Sequence, residues 1–176
     1  MRRVVLNVAV TLDGYIAGPK GEYDWCFTDA DYGMTEFMER VDAVLMGGKS
    51  YRLLLDYGHP YPDKTNYVLS RTEHSSPYEN VVLVNKDIAL FVEGLRRQRG
   101  KDIWLFGGAE IFQLLLSAGL VDELMLSVHP VVLGAGLPLF GHADARQTLL
   151  LKDTRSYPSG LVQITYVIKG NGISQD

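Results

Sequence analysis

Four short runs in the middle of the chain constrain its fold most. Ala43–Met46, Asn66–Ser70, Val81–Val84 and Ile103–Phe106 are nearly all apolar and do not alternate with polar residues. Strands read this way when both faces are covered, as in parallel sheets flanked by helices; a half-solvated strand alternates with period two. Further strand-like runs are Val4–Val10, Glu123–Leu133, Thr148–Asp153 and Leu161–Lys169. Helical segments fall between them, at about Asp31–Arg40, Ser50–Leu55, Ile88–Arg99 and Ala109–Ala118, where Gly119 supplies a left-handed stop. Strands that alternate with helices imply βαβ crossovers. The absence of a helix after Leu120 implies an antiparallel finish. In the last run, Val162, Ile164, Tyr166 and Ile168 share one face and suit an antiparallel edge. The expectation is an α/β protein of three layers, α/β/α. Its central sheet has about eight mostly parallel strands and ends in an antiparallel C-terminal hairpin. No linker, repeat or low-complexity stretch divides the 176 residues, which read as a single domain, 1–176.

Charge and cysteine content remove several function classes. With 17 Lys+Arg against 21 Asp+Glu the net charge is −4, which argues against the broad basic face that nucleic-acid binding requires. No run reaches the ~18 apolar residues of a membrane span. The start Met1-Arg2-Arg3-Val4 leads straight into a short strand-like run rather than a secretory signal. Cys26 is the only cysteine, so no intramolecular disulfide forms. Its thiol reads either as a small loop residue or as a nucleophile, although none of His59, His74, His129 and His142 lies beside it in sequence. No metal-ligand spacing occurs. These features point to a cytoplasmic protein whose partner is a small molecule.

Four segments carry chemistry. Thr11–Pro19, rich in glycine, is a long connection after the first strand, either a plain surface loop or a ligand lid. Trp25 and Phe27 follow it, and large aromatics near a loop bury against a core or a flat ligand. Leu45–Tyr51 reads as strand, Gly47-Gly48 turn, then Lys49 and Ser50 at a helix start, where unpaired amides suit an anion. Leu105–Ile111 repeats that pattern around Gly107-Gly108. Strand–glycine–helix turns are common structural features, and two of them in one small sheet are more telling. Finally, Ser70-Arg71-Thr72 ends a strand, where ligands of open α/β sheets bind; the alternative is a solvated arginine. The fingerprint GxGxxG is absent, and Gly134-Ala135-Gly136 reads as a bend in an antiparallel hairpin.

In this order the segments resemble the dihydrofolate reductase-like superfamily, in the branch related to the riboflavin-biosynthesis reductase C-terminal domain. The matching landmarks are Thr11–Gly18, Val41–Gly47, Leu69–Thr72, Phe106–Ile111, Gly119–Leu124, His129–Gly136 and Gly160, spanning about residues 3–169. The resemblance implies NADPH lying across the strand ends. Gly107, Gly108, Ala109, Glu110 and Ile111 would hold the pyrophosphate, with a cis Gly107–Gly108 peptide. Gly47, Gly48, Lys49 and Ser50 would hold phosphate from the other side, and Ser70, Arg71 and Thr72 would face the 2′-phosphate. Ala9, Ile16 and Ala17 would line the nicotinamide, and Tyr15, Trp25, Phe27 and Tyr51 the substrate. The family usually carries arginine where Gly48 stands; Lys49 offers a single ammonium in place of a two-pronged guanidinium.

For the proton donor, the resemblance implies a carboxylate on the first helix; counted back from Met46-Gly47, Asp31 falls about there, with Asp29 and Glu36 as weaker candidates. Thr28–Asp31 reads equally as a capping box in which Asp31 satisfies a backbone amide. The expected function is an NADPH-dependent reductase that transfers hydride to a pteridine- or pyrimidine-like heterocycle or to a carbonyl or imine. A non-catalytic NADPH- or nucleotide-binding module and a flavin or nucleotide carrier are the alternatives. The resemblance also implies a homodimer.

Overall fold

The computed structural model describes residues 1–141 and 146–169; His142 lies outside them. In chain order the elements are β1 (Val4–Thr11), β2 (Tyr15–Ala17), α1 (Met34–Arg40), β3 (Val41–Gly47), α2 (Gly48–Leu55), β4 (Thr65–Leu69) and β5 (Val81–Val84). There follow α3 (Ile88–Arg97), β6 (Asp102–Gly107), α4 (Ala109–Ser117), β7 (Glu123–His129), β8 (Leu137–Pro138), β9 (Leu149–Ser156) and β10 (Val162–Ile168). One sheet takes eight strands in the order β5-β4-β3-β6-β1-β7-β10-β9. Pairing is parallel from β5 through β7, and β10 runs antiparallel to both β7 and β9.

Each face of the sheet has its own core, which makes the three layers. On one side Val4, Leu6, Leu45 and Leu105 meet Val92 and Leu95 of α3 and Phe112, Leu115 and Leu116 of α4. On the other, Val5, Val44, Met46 and Trp104 meet Phe37 of α1 and Tyr51 of α2. The inner strands are covered twice, which is why their sequences do not alternate. Each large apolar side chain so buried contributes roughly 1.5–3 kcal/mol.

Four expectations are corrected. Helix α1 starts at Met34 rather than Asp31, because Tyr32 (φ 48°) and Gly33 (φ 79°) hold left-handed backbone that cannot propagate a right-handed helix. Strand β7 ends at His129 rather than Leu133, and Val131 instead accepts the Leu12 N–H. After the Gly134–Gly136 bend the chain makes no hairpin with β7: β8 pairs antiparallel with β2 in a separate two-stranded ribbon. The last strand is interior, and β9 is the edge.

At the N-terminal ends of the strands, charge replaces apolar packing. Glu123, whose side chain is 1% exposed, accepts from Arg40 (2.6 Å) and Lys152 (2.8 Å), and Arg40 Nε also reaches Asp102 (2.7 Å). Asp122 accepts the Val4 N–H (2.8 Å) and pairs with Arg96 (2.6 Å). This end of the sheet is tied together; the opposite end is open.

Candidate cofactor cleft and active site

The two glycine corners meet at the open end. An ideal Cβ built on Gly47 would lie 3.7 Å from the Gly108 N and 3.8 Å from the Gly107 O, and one on Gly108 would lie 3.6 Å from Ser50 Oγ. Side chains at these positions would fill the junction. Gly107 takes φ 124°, which L side chains rarely adopt, and its peptide to Gly108 is cis. Helices α2 and α4 start from these corners with glycine as N-cap and no side-chain cap. Their first-turn N–H groups are therefore left for a ligand, at the positive ends of both helix dipoles.

The corners open into a cleft of about 960 Å³, roomy enough for a dinucleotide. Of the residues expected at a cofactor, Gly47, Gly48, Lys49, Ser50, Ser70, Arg71, Thr72, Gly108, Ala109, Glu110 and Ile111 line it. The loop after β5, which the sequence reading overlooked, adds Asn85, Lys86 and Asp87; Ile88, Leu90, Leu114 and Leu137 give it apolar walls. Lys49, Arg52, Arg71 and Lys86 make this lining cationic. Lys49 is paired with Glu110 (3.0 Å) and Arg52 with Glu73, whereas Arg71 and Lys86 have no carboxylate partner among the described residues. Ser70 Oγ accepts the N–H groups of Thr72 and Glu73, which shapes the turn that presents Arg71.

Ala9, Ile16 and Ala17 lie outside that lining, next to it on β1 and β2. Ala9 is half-buried on a central strand. Beyond it, on the α1 side, the loop before α1 brings in Trp25 and Phe27. Both rings pack on His129, at centroid distances of 5.2 and 4.9 Å. His129 Nε2 accepts the Phe27 N–H (3.1 Å) and Nδ1–H donates to the Ser127 carbonyl (2.9 Å), which suits a neutral ring; burial lowers its pKa. Asp13 ties the β1–β2 turn to the β7–β8 loop through the N–H groups of Gly134 (2.7 Å) and Leu133 (3.2 Å).

Other expected site residues stand elsewhere. Tyr51 is 1% exposed, packed in the core with its hydroxyl on Ser76, so it has no surface for a substrate. Asp31 is exposed, and its carboxylate accepts both N–H (2.9 Å) and Oγ1–H (2.8 Å) of Thr35. It caps the first turn of α1, and the Thr35 hydroxyl bond holds its pKa below the usual value. Thr28 takes no part in this cap, because α1 begins six residues after it. Glu36 is paired with Arg155 (2.8 Å), and Asp29 accepts from the Tyr32 hydroxyl (2.8 Å). Tyr15 is half-buried on β2, its hydroxyl 3.5 Å from the Gly134 carbonyl. Burial, helped by Asp24, pushes the Cys26 thiol up to about 11, far from a nucleophile's range.

Comparison with known proteins identifies the family and the fold. A family model described as the RibD C-terminal domain matches residues 2–163. The uncharacterized protein YyaP of Bacillus subtilis is 43% identical over 94% of both chains. A crystal structure of a protein provisionally assigned to riboflavin biosynthesis, from Shewanella sp. PV-4, superposes with a TM-score of 0.84 at 30% identity, covering 96% of this chain and 99% of that one. The diaminohydroxyphosphoribosylaminopyrimidine deaminase/5-amino-6-(5-phosphoribosylamino)uracil reductase of Thermotoga maritima superposes at 0.72 with 16% identity, over 95% of this chain and 56% of its own length.

Proposed function

The chain belongs to the RibD C-terminal domain family, and we propose that it is a cytoplasmic NADPH-dependent reductase acting on a small pteridine- or pyrimidine-like heterocycle. One observation carries this reading: two uncapped helix N-termini, each behind a glycine pair, converge in one cleft with unpaired cations at its rim. A dinucleotide diphosphate matches that arrangement, because it carries two adjacent anionic groups and needs bare backbone close by. Gly47–Ser50 and Gly107–Ile111 would hold the pyrophosphate. Ser70, Arg71, Thr72 and Lys86 would hold the 2′-phosphate that distinguishes NADPH from NADH. Ala9, Ile16 and Ala17 would border the nicotinamide. When bound, the cofactor supplies a hydride to the substrate; the chain's part is to orient the two rings and keep bulk water away.

Asp31, the expected proton donor, is taken up with the first turn of α1, and this favours a second reading, cofactor binding without turnover. Titration calorimetry tests the first step of both: NADPH is expected to bind more tightly than NADH, and binding of neither removes the cofactor reading. Oxidation of NADPH by a heterocycle then separates the reductase from a binding module. The family likeness also supports a homodimer, which gel filtration checks.

A further inference from the structure

The sheet face beside Ala9 carries polar groups for which the fold provides no use. Parallel and antiparallel registers set Asn7 beside Met125 and Met125 beside Thr165, and Ala9 beside Ser127 and Ser127 beside Gln163. Because side chains alternate along a strand, these six share one face, that of α1. Asn7, Gln163 and Thr165 are 9%, 6% and 5% exposed. Gln163 Nε2 donates to Ser127 Oγ and to the Tyr32 carbonyl, each at 3.3 Å. The Gln163 carbonyl, the Asn7 carboxamide and the Thr165 hydroxyl have no hydrogen-bond partner among the described residues. None of these atoms is among the sealed, partnerless ones, which among the described residues are Trp25 Nε1, Asn66 Oδ1 and Arg96 Nε; they keep a small accessible surface, so a ligand can reach and bond them. Phe27, whose N–H bonds His129, and Tyr32, whose carbonyl bonds Gln163, lie beside these groups, their ring centroids 6.3 Å apart.

The charge around it is one-sided. Residues 18–33, the segment that carries Phe27 and Tyr32, hold Glu22, Asp24, Asp29 and Asp31 against Lys20 alone, a net of −3. Arg155, on β9 next to β10, is engaged by Glu36 (2.8 Å) and Asp153 (3.2 Å). A phosphate dianion placed here would meet carboxylates and find no unengaged guanidinium, unlike the cofactor cleft with Arg71 and Lys86.

Resting on the reductase reading above, the geometry points to a substrate that is an uncharged, unphosphorylated planar heterocycle with a lactam edge. Neighbouring carboxamide and hydroxyl groups offer the donors and acceptors that a ring –NH–C(=O)– unit requires, and Phe27 and Tyr32 offer it an aromatic face. The Thermotoga maritima reductase, by its description, acts on a phosphoribosylated uracil; the present floor fits the ring without that tail.

The test uses the full chain. Calorimetry first establishes NADP⁺ binding, which judges the cofactor reading by itself. Pteridine-2,4-dione, uridine and uridine 5′-monophosphate are then titrated into the same protein, with and without NADP⁺. Pteridine-2,4-dione is expected to bind, and uridine at least tenfold more tightly than its monophosphate. Thr165→Val, close in shape and mild for folding, should weaken the dione threefold or more while NADP⁺ affinity stays within twofold; Gln163→Glu should weaken it further. Tighter binding of the monophosphate, no binding of any of the three, or an unchanged dione affinity in Thr165→Val overturns the inference even where NADP⁺ binds.

Discussion

At the scale of single residues, Arg71 and His129 divide the labour between recognition and shape. Arg71 stands unpaired at the rim of the cleft, on a turn shaped by Ser70. A charge-assisted contact to phosphate contributes about 1.5–3 kcal/mol, so Arg71→Ala should cost NADPH roughly 10- to 100-fold in affinity. NADH, which lacks the 2′-phosphate, should lose less than about twofold; equal losses by calorimetry would take Arg71 out of that role. His129 acts on the protein's own loop. Its burial lowers the pKa, so the folded state binds its proton less readily than the unfolded chain, whose histidine titrates near ~6.5. Its contribution is therefore complete above ~6.5 and is lost as the pH falls through that value toward the lower folded one. A protonated Nε2 also cannot accept the Phe27 N–H. Melting temperatures from pH 7.5 to 5 should fall more steeply for the wild type than for His129→Gln, whose neutral carboxamide can accept that N–H at every pH.

At the scale of elements, the reading from sequence succeeded where periodicity or chemistry was strong. Doubly covered strands wrote themselves as apolar runs, and Gly47-Gly48 and Gly107-Gly108 announced their corners as glycine pairs set between a strand and a helix. An ideal Cβ on Gly48 would lie 2.6 Å from Ser70 Oγ and 3.0 Å from Ser70 Cβ. Gly48→Ala should thus cost about 1–3 kcal/mol, as overpacking does, and shift the turn that carries Arg71. Urea unfolding measures the first effect and NADPH titration the second; a variant as stable as wild type with full affinity would mean the corner yields freely. Elements of two or three residues, β2 and β8, are too short to impose a period, so their ribbon was invisible. Helix α1 was misplaced at its start because nothing in Tyr32 announces a positive φ. Tyr51 passed for a ligand contact because it closely follows the Gly47-Gly48 turn; its burial depends on contacts with strands distant in sequence. Asn85–Asp87 escaped because a cleft assembled from three crossovers has no single motif. Gln163 and Thr165 were hidden because their neighbours Ile164 and Tyr166 are apolar, and the apolar set was taken as the buried one.

Over the whole molecule, the ion-pair network and the candidate cleft sit at opposite ends of the same strands. The N-terminal ends are locked by Arg40, Asp102, Glu123 and Lys152, while the C-terminal ends keep their amides open. Burial raises the pKa of Glu123 and of Asp102, but the hydrogen bonds and charge of Arg40, with Lys152 on Glu123, outweigh it and hold both below the usual carboxylate values. Groups depressed in this way stabilise the fold above their unfolded pKa, near ~4, and lose that contribution as the pH falls through the folded one. Arg40→Met keeps the side chain's length but leaves Glu123 buried with Lys152 (2.8 Å) and the more distant Arg3 (3.5 Å) as its remaining partners. The cost at pH 7 should be on the order of 3 kcal/mol, since breaking a buried pair strands a charge. That difference from wild type should shrink below pH ~4 as the carboxylates protonate in both proteins. NADPH affinity at pH 7, where both remain folded, should stay within about twofold, because the network lies a full strand length from the glycine corners, some 20 Å for a six-residue strand. Denaturant midpoints at pH 3 to 7, alongside calorimetry, check both halves. A tenfold loss of cofactor affinity in this variant would mean that the charged end of the sheet helps set the geometry of the open one.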